Sequence, residues 1–283
     1  MALLLHGDCL EVMKDLSANS VDCFICDLPY GCLTNQKGES KGFERPSWER
    51  NPDLKRINRT GENVAWDIKI DLAEFWTQVR RLAKDDHTPV LMFCTTKFGN
   101  ELINSNPKWF RYDLVWDKGR GVSFLTANKM PMRSHEMIYV FSKAGAHYER
   151  VDMSGNFPNS LVSKKVMERK TITGQMVPKI LKDNTGKRCV KSVISDIDKY
   201  TNSRVNKPHP TEKPVALYEW LIRRYCPAGG TILDPTAGSF NSVQAALNLG
   251  RKAIGIEKDD GFFSKARARF QQETNEIVDG PAS

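Results

Sequence analysis

Two short stretches carry residues whose types and spacing suit chemistry. The first is CDLPYG at residues 26–31, directly after the apolar run VDCFI. It presents a carboxylate (Asp27), a leucine (Leu28), a ring-locked proline (Pro29) and a tyrosine (Tyr30) in consecutive positions at the end of a strand-like run. Turns after strands are usually built from Gly, Asn, Ser and other small polar residues. This one offers a fixed hydrogen-bond acceptor beside an aromatic face. The second is TILDPTAGSFNS at 231–242, which reads as a strand, a tight turn of small residues and a helix start. Ala237, Gly238 and Ser239 let a ligand approach the backbone closely, and a helix N-terminus favours an anionic group there. Glu257 lies 23 positions after Asp234, at the end of the next strand-like run, where an acid accepts hydrogen bonds from ribose hydroxyls. Neither G-x-x-x-x-G-K-[ST] nor a complete G-x-G-x-x-G occurs, which removes the usual phosphate cradles. Asp234, Thr236, Ala237, Gly238, Ser239 and Glu257 therefore describe a nucleoside site without a pyrophosphate. S-adenosylmethionine fits it, with its carboxylate on the turn and its ribose on Glu257. An ordinary βα turn with a surface acid is the rival reading of the same residues.

Both loops need strands to hold them, and the chain supplies strands in alternation with helices. LLLH reads as a strand, Gly7-Asp8 as a turn, about Cys9 to Leu16 as a helix, and VDCFICD as a strand ending at Asp27. Residues 34–63 are polar and lack apolar periodicity, which predicts a long loop of the kind that is usually functional or disordered. DLAEFWTQVRRLAK is amphipathic with a basic end, as a helix C-terminus prefers. TPVLMFC is an unbroken apolar run suited to a strand covered on both faces. RYDLVWDK and HEMIYVFSK are two further strands around a loop that contains Gly119, Gly121 and Pro131. After residue 208, helix EKPVALYEWLIRRYC, strand GTILD, helix SVQAALNLG with Gly250 as its stop, strand RKAIGIE and helix GFFSKARARFQQE follow in turn. The tail IVDGPAS is expected to fray. Such alternation predicts an α/β fold with a mostly parallel sheet and helices on both faces. Ligands in such sheets bind at the carboxyl ends of the strands, where Asp27 and Asp234 both fall.

The 283 residues carry a formal charge of +8, and seven of those charges come from residues 151–208, with 12 Lys and Arg against 5 acids. A cluster of this sign points to a phosphate-rich partner. Seven cysteines at irregular spacings and no apolar N-terminal signal segment fit a reducing compartment, so the expectation is a cytoplasmic protein. No run approaches the ~18–20 apolar residues of a membrane span, which leaves nucleic acid as the polyanion and no membrane partner. Cys23 and Cys26 form a C-x-x-C with no second pair, and the histidines are scattered without H-E-x-x-H, so no metal is expected. Trp48, in the polar loop, is a candidate for base contact.

DLPYG resembles the [D/N/S]-P-P-[Y/F] catalytic motif of DNA amino-methyltransferases, and DPTAGS at 234–239 resembles their cofactor motif. The order, with the catalytic motif first, a basic region next and the cofactor motif last, resembles the circularly permuted beta class, as do HPTEKP at 209–214, HGDCLEVMKDL at 6–16 and AWD at 65–67. The resemblance implies a Rossmann-like methyltransferase fold. It divides the chain into residues 1–150 as the catalytic part, 151–208 as an inserted target-recognition region, 209–270 as the cofactor-binding part and 271–283 as a flexible tail. It implies transfer of methyl from S-adenosylmethionine to adenine N6 of a base flipped out of DNA, in a bacterial or phage-encoded enzyme at the nucleoid, with a homodimer as in many members. Asp27 and the Leu28 carbonyl would accept hydrogen bonds from the amine, Pro29 would brace the turn and Tyr30 would stack on the base. Asp27 would also border the cofactor. Asp8 would receive the cofactor's adenine amino group with Cys9 beside it, although a helix-capping role explains Asp8 equally well. Thr211 and Lys213 would line the methionine end, and Thr211 as a helix cap with Pro214 in the first turn is a compatible view. Lys164, Lys165, Arg169, Lys170, Lys187, Arg188, Lys191 and Arg204 would meet DNA phosphates.

Three positions depart from the pattern. Leu28 replaces the usual first proline but keeps its carbonyl, while Thr236 and Phe240 stand where Phe and Gly are common. An Asp at position 27 resembles the adenine branch, whereas Ser marks the branch that modifies cytosine N4. Cytosine N4 is therefore the near alternative, and a non-catalytic DNA-binding regulator on the same fold is the alternative from another class.

Overall fold

The computed structural model describes residues 1–31, 68–122, 124, 127–154, 187–197, 212–273 and 277–279. In chain order the elements are β1 (Ala2–His6), α1 (Cys9–Asp15), β2 (Cys23–Cys26), α2 (Leu72–Leu82), β3 (Val90–Cys94), α3 (Thr96–Ser105), β4 (Phe110–Val122), β5 (Arg133–Phe141), β6 (Met153–Ser154), β7 (Lys187–Arg188), β8 (Val193–Ile194), α4 (Val215–Tyr225), β9 (Thr231–Asp234), α5 (Asn241–Asn248), β10 (Lys252–Glu257), α6 (Asp260–Glu273) and β11 (Ile277–Asp279). By compactness the chain forms two units, Met1–Glu149 with Ser192–Ser283, and Arg150–Lys191. The larger unit holds a sheet in the order β11-β1-β10-β9-β2-β3-β5-β4-β8. The run from β11 to β3 is parallel throughout, and β5 is antiparallel to both β3 and β4. In the smaller unit β6 and β7 pair antiparallel.

The apolar runs explain the layering. Successive strand side chains point to opposite faces, so Cys23 and Ile25 join one buried cluster with Phe93, Leu217, Leu221, Val243 and Phe270. Phe24 and Cys26 join another with Met13, Phe75, Val79, Phe98 and Leu102. Helices α4, α5 and α6 thus cover one face and α1, α2 and α3 the other. Every residue of β2 and β3 is buried. The same alternation sends Cys23 and Cys26 to opposite faces, where both are fully buried free thiols. Among the described residues no three His, Cys, Asp or Glu gather as a metal site, and no helix is long and apolar enough to cross a membrane.

Local signals end the helices where expected. Asp71 caps α2 by accepting from the Ala73 and Glu74 N–H groups. Gly250 closes α5 at a φ of +66°, a conformation costly for other residues. Several elements differ from expectation. Residues 271–273 complete α6, and Ile277–Asp279 pair in parallel with β1 rather than fraying. Helix α3 occupies a stretch for which the sequence announces no element.

Candidate active site

Strands β10, β9 and β2 are parallel neighbours, so their carboxyl ends share one edge of the sheet. This topology brings Glu257, Asp234 and Asp27 together from three separate parts of the chain. Asp234 and Glu257 end, and Asp27 follows, hydrophobic strands whose burial fixes their register, and a one-residue slip would turn every one of these side chains to the other face.

Asp27 begins the turn after β2. The Tyr30 hydroxyl donates to its Oδ1 at 2.9 Å, and the Lys213 ammonium donates to its Oδ2 at 2.5 Å. Glu136 on β5 accepts from Tyr30 at 3.3 Å and pairs with Lys118 at 3.1 Å and with Lys213 at 3.6 Å. Among the described residues two carboxylates and two ammonium groups thus gather in one cluster, with side-chain exposures of 19% for Asp27, 12% for Glu136, 10% for Lys118 and 5% for Lys213. Burial alone would lower the Lys213 pKa, but the Asp27 and Glu136 charges outweigh it and raise it. Burial, reinforced by the same two acids, pushes the Tyr30 phenol well up, so Tyr30 is a neutral donor. Its ring lies 5.1 Å from that of Phe98 at a tilt of 32°. The Leu28 side chain is 2% exposed and packs with Cys9 and Met13, so leucine replaces the rigidity of a proline with anchorage in the core.

The second loop is braced from below. Asp234 is 1% exposed and accepts from Thr236 N at 3.1 Å and from the Ser242 hydroxyl at 2.5 Å. A carboxylate so placed shapes the loop and joins it to α5. Burial pushes its carboxyl up from 3.8 to about 7. Its folded pKa therefore lies above its unfolded one, and the stability it adds is complete below about pH 4 and lost as pH rises through 7. Compared with Asp234→Asn, the wild-type melting temperature is expected to fall between pH 5 and pH 8; parallel curves in a thermal-shift titration would contradict this.

Glu257, raised by burial, accepts from Gly238 N and Asp259 N, both at 2.8 Å. The Gly238 N–H expected to face a ligand anion is thus already bonded to Glu257. Ala237 N donates to the Ile256 carbonyl at 2.8 Å, and the Ser239 carbonyl accepts from Arg269 at 2.7 Å. The Thr236 hydroxyl is buried with no hydrogen-bond partner, an arrangement that a polar ligand in the loop would complete. Phe240 sits at φ +59°, fully buried, over a glycine: a Cβ on Gly255 would lie 2.7 Å from its ring. That packing accommodates a large residue where glycine is common.

Asp8 caps α1 through Leu10 N at 3.0 Å and pairs with Lys258 at 2.9 Å. Burial works against its charge, but Lys258 and the Leu10 N–H prevail and lower its pKa. The Cys9 thiol is pushed up to about 12, first by burial and then by Asp8. Pro214 is the residue just before α4 rather than part of its first turn. The Lys213 carbonyl accepts from Asn241 at 2.8 Å, which ties Lys213 to the start of α5. Lys187 and Arg188 form β7, and Lys191 is exposed. Thr211, Lys164, Lys165, Arg169, Lys170, Arg204 and Trp48 lie outside the described residues. Sequence reasoning missed Glu136 and Lys118. The available signal was an acid near the start of one apolar strand, HEMIYVF, and a lysine at the end of another, DLVWDK, which antiparallel pairing brings together.

Comparison with known proteins agrees with this geometry. The profile of the DNA methylase family matches residues 21–268. M.HpaI, a type II methyltransferase of Haemophilus parainfluenzae, is 39% identical over 96% of this chain and 75% of its own. The DNA adenine methyltransferase YhdJ of Escherichia coli is 26% identical over 94% of this chain and 82% of its own. Among solved structures, the M1.HpyAVI–SAM complex superposes with a TM-score of 0.55 at 18% identity, over 95% of this chain and 99% of that one. The cytosine-N4-specific PvuII DNA methyltransferase gives 0.60 at 15% identity, over 98% and 88%. The family match spans most of the chain and contains both loops, and the chain belongs to the N6/N4 DNA methylase family, a family of S-adenosylmethionine-dependent methyltransferases.

Proposed function

We propose that the chain methylates adenine N6 in DNA, acting on a base swung out of the helix. The observation that carries this reading is the placement of the Asp27–Tyr30 turn beside the Asp234 loop, on adjacent parallel strands at one sheet edge. Adenine is favoured because residue 27 is Asp, as in the adenine branch, and because YhdJ is named for adenine methylation. Cytosine N4 is the second reading, favoured by the fold shared with PvuII methyltransferase.

The residues fit S-adenosylmethionine, whose sulfonium supplies an electrophilic methyl group when bound. Thr236 has an unpartnered hydroxyl to offer and Glu257 keeps free lone pairs for ribose hydroxyls, while the Lys213 ammonium is already engaged by Asp27 and Glu136. The rest of the chemistry belongs to the chain. An adenine amine is a weak nucleophile because its lone pair is delocalised into the ring. Asp27 and the Leu28 carbonyl, accepting its two N–H bonds, would concentrate that lone pair on nitrogen. A carboxylate has about four acceptor sites, so Asp27 keeps capacity beyond the bonds from Tyr30 and Lys213. Those two donors pin it before the base arrives, and such preorganisation spares reorganisation during reaction. Asp27 would also accept the proton that N6 sheds. The basic region 151–208 would follow the phosphates, giving steep salt dependence.

The test is to incubate the protein with DNA and methyl donor, digest the DNA and identify modified nucleosides by mass spectrometry. N6-methyldeoxyadenosine is expected. N4-methyldeoxycytidine would establish the second reading, and DNA that is bound but never methylated would point to a non-catalytic regulator.

A further inference from the structure

We propose that the end of the β4–β5 hairpin is a wedge for duplex DNA, with Phe124 filling the gap left by the swung-out base. The inference rests on the DNA reading above and deepens it.

Three observations converge on this hairpin. Phe124 is 78% exposed, Met130 58% and Met132 44%, an unusual density of large bare apolar side chains within residues 124–132. Scattered single apolar residues on a surface need no explanation, whereas a group of them marks an interaction site. Charge then selects the partner. Residues 118–135 include Lys118, Arg120, Lys129 and Arg133 and no acid, and Arg120, Lys129 and Arg133 are exposed. An apolar tip ringed by cations suits a phosphate backbone with stacked bases inside it, since DNA-kinking proteins insert Phe, Met or Leu between base steps.

The third observation is placement. Lys118 and Glu136, on the two strands of this hairpin, belong to the buried cluster that holds Asp27. Met132 lies four residues from Glu136, ~13 Å along an extended chain, which places the end of the hairpin within reach of a duplex that delivers a base to Asp27. The hairpin is also bent on purpose. Asp117 pairs with His135 but the next pair is Val122 with Arg133, so β4 inserts extra residues, and bulges of this kind re-aim a strand beside active sites. The bulge is built from Gly119 at φ +70°, whose N–H donates to Asp117 Oδ1 at 3.0 Å, and from Gly121, whose missing Cβ leaves the room that Met132 occupies at 2.7 Å. Ala127 N donates to the Phe124 carbonyl at 3.0 Å. Drawing a base from its stack costs a few kcal/mol, less when the base is unpaired. A ring that replaces it would recover part of that cost only on paired substrates.

Phe124→Ala and the conservative Phe124→Trp should be compared with wild type on three oligonucleotides: a fully paired duplex, a duplex with an abasic site opposite the target, and a single strand. Phe124→Ala is expected to lose about tenfold or more in methylation rate on the paired duplex and less than about twofold on the other two, with Phe124→Trp near wild type. Equal loss on all three, no loss on any, or a loss that tracks a change in molecular mass from dimer to monomer would overturn the wedge. Wild-type protein that methylates none of the three would instead overturn the DNA reading beneath it.

Discussion

Asp27→Ala is expected to reduce single-turnover methyl transfer by about 10²–10³-fold while the protein remains folded. The substitution removes the acceptor that the reaction needs and releases Tyr30 and Lys213, which both donate to that carboxylate. Asp27→Asn separates the two effects. Its amide oxygen can still accept from Tyr30, but it offers no charge to Lys213 and only one acceptor atom. Its rate should therefore fall nearly as far as that of Asp27→Ala, with the Tyr30 ring still in place. Transfer of labelled methyl that persists in Asp27→Ala would remove Asp27 from the catalytic role.

Lys213→Met is expected to produce the largest loss of stability. The ammonium lies between Asp27 and Glu136, 4.9 Å from the Phe93 ring, with 5% of the side chain exposed. Removing one member of a buried charge cluster leaves its partners uncompensated and costs about 3–5 kcal/mol. For a chain of this size that is a drop of about 10 °C in melting temperature. Adding Asp27→Asn should recover part of the loss by removing the carboxylate left without its cation, since Glu136 keeps Lys118 at 3.1 Å. Thermal unfolding without cofactor reads both variants. An unchanged melting point in Lys213→Met, or a double variant less stable than the single, would show that the four charges do not act as a unit.

Much of this site was legible before any coordinates, for a physical reason. The strands that carry Asp27, Asp234 and Glu257 are short apolar runs ending in an acid, and a parallel sheet must bury such runs and leave their carboxyl ends to loops. Adjacency of β2 and β9 was not legible, because strand order is set by long-range packing. Glu136 and Lys118 escaped for a related reason: only the pairing of β4 with β5 and the approach of Lys213 reveal them as a cluster. Helix α3 escaped because TKFGNELINS contains Gly and two Asn, all weak helix formers. Tertiary packing decides there: a Cβ on Gly99 would lie 2.6 Å from the Tyr139 ring, so glycine is the residue that lets α3 approach β5. Glu257 and Asp234 were read as ligand-facing acids, whereas their first partners are backbone and hydroxyl groups of their own loop.

The most direct measurement is a crystal structure of the protein with a DNA oligonucleotide and a non-reactive analogue of the methyl donor. The expected result is an extrahelical adenine whose N6 lies about 3 Å from both an Asp27 carboxylate oxygen and the Leu28 carbonyl, with Tyr30 against its ring. A target base held elsewhere, with its amine turned away from residues 27 and 28, would contradict it.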